Sequence, residues 1–146
     1  MCSSDLERRR NDHGYYGALE AKEFLTDLGL PQDFIAEVYL AITQHVGLTR
    51  NSFAPLRPLS AAITWDADKL SKIGFSAWLH YLAARFARPK KETNLVALIE
   101  NHHALDTMEI IIENFNTEPA RQMALKRLEK YKRQLESLKM DIAGLL

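Results

Sequence analysis

Two histidines and two aspartates are the residues of this chain best suited to chemistry. His13 stands just ahead of a run of small residues, His45 ends an apolar run before a loop, and Asp66 and Asp68 lie two apart in Trp65-Asp66-Ala67-Asp68-Lys69-Leu70. Neutral imidazole and carboxylate are the usual ligands of borderline and hard divalent cations, so His13 and His45 with Asp66 or Asp68 are candidates for a metal site. The aspartates also need an account of their own, because a carboxylate in a helical core costs several kcal/mol unless a cation or donors compensate it. The plain account is pairing with Lys69, Lys72, the Trp65 indole or a backbone group. A single histidine on an apolar face is likewise ordinarily a hydrogen-bonded core residue. The case for a metal rests on the combination: the loop from Gly47 to Pro58 returns the chain from His45 to the helix that bears both aspartates.

The elements that would position these groups are helices. Gly29 with Pro31, Gly47, Pro55 with Pro58, Gly74, Pro89 and Pro119 punctuate the chain, and between them the apolar spacing is helical. The first helix is expected over 15–28, with Gly17, Ala18, Ala21, Phe24, Leu25 and Leu28 on one stripe and Gly29 as its stop. The second has Pro31 in its first turn and buries Phe34, Ile35, Val38, Ala41, Ile42 and His45. The third, over 59–73, carries two apolar faces and is therefore expected to be central. Leu59, Ala62, Ile63, Asp66, Leu70 and Ile73 mark one face, and Ala61, Trp65, Asp68 and Lys72 the other. Residues 75–86, 91–115 and 117 onward read as further helices, and no stretch alternates as a strand does. The fold class is all-α.

At this point the sequence resembles a known family. The run DHGYYGALEAKEFLTDLGLPQDFIAEVYLAITQH, a polar loop, and then AAITWDADKLSKIG are similar to the second half of the HD-domain phosphohydrolases, particularly the small bacterial type. In that type a His-x-x-x-Gly-Ala helix precedes an Ala-Ile-x-x-His helix and an Asp-Ala-Asp-(Arg/Lys)-Leu helix. The closing NTEPARQMALKRLEKYKRQLESL resembles the family's C-terminal helix, so the likeness runs from Asp12 onward. It implies an HD-like helical bundle lacking its first helices. Residues 12–146 would be the C-terminal part of the domain and 1–11 a non-native or disordered stretch, Cys2 to Leu6 resembling a translated library adapter.

The family binds a divalent metal (Mn, Mg, Fe, Co or Zn) through a first His, an adjacent His-Asp pair and a later Asp. The resemblance assigns the later Asp to Asp68, with Asp66 as the companion that positions it. His13 and His45 match additional histidines that contact substrate phosphate or help hold a second metal, and Lys69 and Lys72 would bind phosphate. The first His and the His-Asp pair have no counterpart and would fall upstream of residue 1. The resemblance therefore implies a parent that hydrolyses a nucleotide or other phosphate ester, and a chain that by itself binds metal weakly and turns over nothing, since one carboxylate cannot activate water and neutralise a phosphoryl group. Without the preceding helices, the stripe of Val38, Ile42, Ile63 and Leu70 would line an open groove. The alternative is a degenerate helical nucleotide-binding or oligomerisation module without catalysis.

Other features have plainer readings. His80 is expected in the core or an interface, and the adjacent His102 and His103 point about 100° apart on a helix, so they cannot act as a ligand pair. Leu128, Tyr131, Leu135, Leu138, Ile142 and Leu145 repeat at three and four residues, a seam that either packs on the chain's own body or joins a homo-oligomer, with Thr117 and Pro119 at its start. Nineteen acidic and nineteen basic residues balance in 146, which disfavours a nucleic-acid polymer as partner. A lone cysteine, Cys2, excludes a disulfide framework and suits the cytoplasm. No apolar run approaches the ~20 residues of a membrane span.

Overall fold

The computed structural model describes residues 12–50, 54–87, 99 and 103–144, together with the backbone but not the side chain at 103. Among these residues there are six helices and no strand: α1 (His13–Asp27), α2 (Gln32–Gln44), α3 (Leu59–Leu70), α4 (Phe75–Phe86), α5 (His103–Glu113) and α6 (Glu118–Ile142). The all-α expectation therefore holds. No helix among the described residues is long and apolar enough to cross a membrane. The chain contacts separate into two compact units, Met1–Asp68 and Lys69–Leu146, so the division falls inside α3.

In the first unit α1 and α2 form an antiparallel pair. The four residues between them reverse the chain through a Schellman closure, in which Gly29 N–H donates to the Thr26 carbonyl at 2.9 Å and Leu30 N–H to the Leu25 carbonyl at 3.2 Å. This geometry needs a left-handed residue, and Gly29 supplies it at φ 71°. Small residues then let the helices close. Gly17 lies against Ile42, while Gly14 lies so near Val46 and the Ile42 carbonyl that a Cβ there would overlap the Val46 Cγ2 methyl.

The expected stripes are corrected in detail. Ala18 and Ile35 are buried, yet Phe24, Leu28 and Phe34 are about half exposed or more. A helix covered mainly by one neighbour buries only the narrow strip that faces it, so the outer members of a wide apolar stripe stay wet.

The same reasoning corrects α3. Its buried residues are Ala61, Ala62, Trp65, Asp66 and Lys69, midway between the two faces read from spacing, whereas Leu59 and Ile63 are exposed. Arg50 caps this region, its guanidinium 5.8 Å from the centre of the Trp65 ring and donating to the Ala54 carbonyl at 2.6 Å. The helix ends at Leu70, three residues before the expected stop at Ile73.

The second unit is built on α6. Ala120, Ala124, Leu128, Tyr131 and Leu135 are its buried line, and Trp78 and Leu82 of α4 and Met108, Ile111 and Ile112 of α5 belong to the same core. Phe75, Trp78 and Tyr131 stack as a tilted aromatic trio with centroids 5.5 to 6.5 Å apart. Burial pushes the Tyr131 phenol up to about 12. Arg127 of α6 donates to the Leu70 carbonyl at 2.6 Å, which satisfies an end group of α3, and its backbone lies against Gly74. The seam thus packs on the chain's own body as far as Leu135. Leu138 is half-buried, Ile142 is exposed, and Leu145 lies outside the described residues. Thr117 precedes α6 in extended conformation, and its carbonyl accepts from Arg121 N–H at 3.1 Å, so it starts the helix through its backbone and not through a hydroxyl cap.

Candidate functional site

The antiparallel pairing brings two of the predicted groups together. His13 is the first residue of α1 and His45 the C-cap of α2, and the short connection places these two ends side by side. Their rings meet edge to face with centroids 5.3 Å apart. Gly14 lets these helix ends close, because its missing side chain leaves the space into which Val46 fits, with the His45 ring edge at ordinary contact distance beside it. His45 Nδ1 donates to the Ile42 carbonyl, an end group of α2. In the neutral ring that bond puts the proton on Nδ1 and makes Nε2 the nitrogen with a lone pair.

The aspartates behave differently from each other. Successive helical residues are turned by about 100°, so Asp66 and Asp68 point some 200° apart and cannot share one environment. Asp66 is 2% exposed on the covered face of α3, while Asp68 is half-buried. The deeper carboxylate is thus Asp66. Among the described residues no group of three or more His, Cys, Asp or Glu side chains is arranged to hold a metal ion, so Asp68 does not close a three-ligand set with the two imidazoles. Of the two lysines, Lys69 is 3% exposed and Lys72 is exposed to solvent. His80 is exposed on α4 and not in the core, and His102 and the side chain of His103 lie outside the described residues.

A groove of about 290 Å³ opens between α2 and α3 in the first unit. Phe34, Val38, Ala41 and Ile42 line one wall, Ser60 and Thr64 the other, and Glu37 is the charged group on its lining. Val38 and Ile42 belong to the stripe that the resemblance, with its preceding helices missing, expects to lie open. Ile63 is exposed on α3 without lining the groove, and Leu70 is not part of it. Glu37, Ser60 and Thr64 are the residues that spacing missed, since polar residues beside an apolar stripe read as an ordinary solvated edge.

No family model, curated protein or solved structure matches this chain.

Proposed function

We propose that this chain is the phosphate-binding and metal-assisting part of an HD-type phosphohydrolase. The parent would hydrolyse a nucleotide or another phosphate ester in the cytoplasm, and the chain by itself would bind without turnover. The observation that carries the reading is the convergence of His13 and His45, which the sequence resemblance singles out and which are remote in sequence but 5.3 Å apart as rings. Two imidazoles suit a borderline divalent cation such as Zn, Fe or Co better than the harder Mn or Mg, and a metal bound there would supply a Lewis acid for phosphoryl oxygens. Lys69 and Lys72 are the cations that the resemblance offers to a phosphate, and Asp68, half-buried, is the carboxylate that a rearranged site would recruit. The sequence contains no adjacent His-Asp pair, so a complete family ligand set is not encoded in these 146 residues. Hence metal affinity should be low and hydrolysis absent.

The test pairs metal titration with a phosphatase assay. Weak binding of Zn or Mn that is lost in His13→Ala and in His45→Ala, with no hydrolysis of p-nitrophenyl phosphate, is the expected result. Metal binding indifferent to both histidines would overturn the site, and turnover abolished by Asp68→Ala would overturn the incomplete-ligand argument. Nucleotide binding that persists in EDTA would favour the degenerate, metal-free binding module instead.

A further inference from the structure

We draw no further inference here: the strongest candidate, the apolar groove between α2 and α3 lined by Phe34, Val38, Ala41 and Ile42 with Ser60 and Thr64 opposite, is an unpartnered face, and nothing in the structure shows what covers it.

Discussion

Adding one methyl group at Gly14 tests the helix crossing on which the imidazole pair depends. An alanine Cβ there would overlap Val46 Cγ2, stand 3.3 Å from the Ile42 carbonyl oxygen and 3.7 Å from His45 Cε1. Two effects oppose each other. Replacing glycine by alanine in a helix favours folding by up to ~1 kcal/mol, and less at the second residue of α1 than in its middle. Overpacking at a close contact costs ~1–3 kcal/mol, and here one of the neighbours is backbone, which cannot swing aside.

The clash should win, leaving Gly14→Ala less stable by about 1 kcal/mol. In Tm that is a fall of about 2–4 °C if the whole chain unfolds together and about 4–8 °C if the first unit unfolds alone. Gly17→Ala is the control, because its Cβ would meet only Ile42 Cγ2 at 3.7 Å, an ordinary contact. It should be neutral or stabilising by up to ~1 kcal/mol. Trimming the obstacle with Val46→Ala should restore most of the loss in the double variant, a coupling expected of residues in contact. Differential scanning calorimetry measures the four proteins, and the His45 Cε1–H proton resonance should move in Gly14→Ala. A Gly14→Ala protein that gains stability as Gly17→Ala does would mean that the helices do not approach closely there, and the geometry that joins His13 to His45 would fall with it.

Three further outcomes follow from burial. Asp66→Ala, at a side chain 2% exposed, should be more destabilising than Asp68→Ala at a half-buried one, because losing a polar group from a buried site costs ~1–3 kcal/mol and a partly wet site lets water compensate; urea midpoints that rank them the other way would refute this assignment. Ile35→Ala, at a residue 1% exposed, should cost ~2–5 kcal/mol, whereas Ile63→Ala, at 53% exposed, should stay within ~1 kcal/mol, and equal midpoints would show that α3 buries the face assigned here to solvent. Tyr131 holds its proton in the folded state up to about 12, against about 10 when unfolded, so its contribution is complete below pH 10 and disappears as pH rises from 10 to 12. The loss amounts to about 2–3 kcal/mol, visible as alkaline destabilisation and as a late-ionising phenolate absorbance that Tyr131→Phe removes; a tyrosine titration complete near pH 10 with the fold intact would contradict it.

Much of the helical organisation is legible one segment at a time. The 3.6-residue spacing marks the six helices found among the described residues, Gly29 announces the end of α1 because only glycine enters the left-handed closure cheaply, and the three-and-four repeat at Leu128, Tyr131 and Leu135 identifies the inner line of α6. These are local statements, fixed by backbone sterics and by helical periodicity. Which side of a helix is covered is decided by its neighbours. Spacing shows α3 apolar on two sides. The folded chain covers the sector between those sides, taking in Ala61, Ala62, Trp65 and Asp66 and leaving Leu59 and Ile63 wet. The meeting of His13 with His45 is equally non-local. It follows from the reversal at Gly29 and from the antiparallel run of α1 and α2, whose ends close where Val46 fills the space beside Gly14.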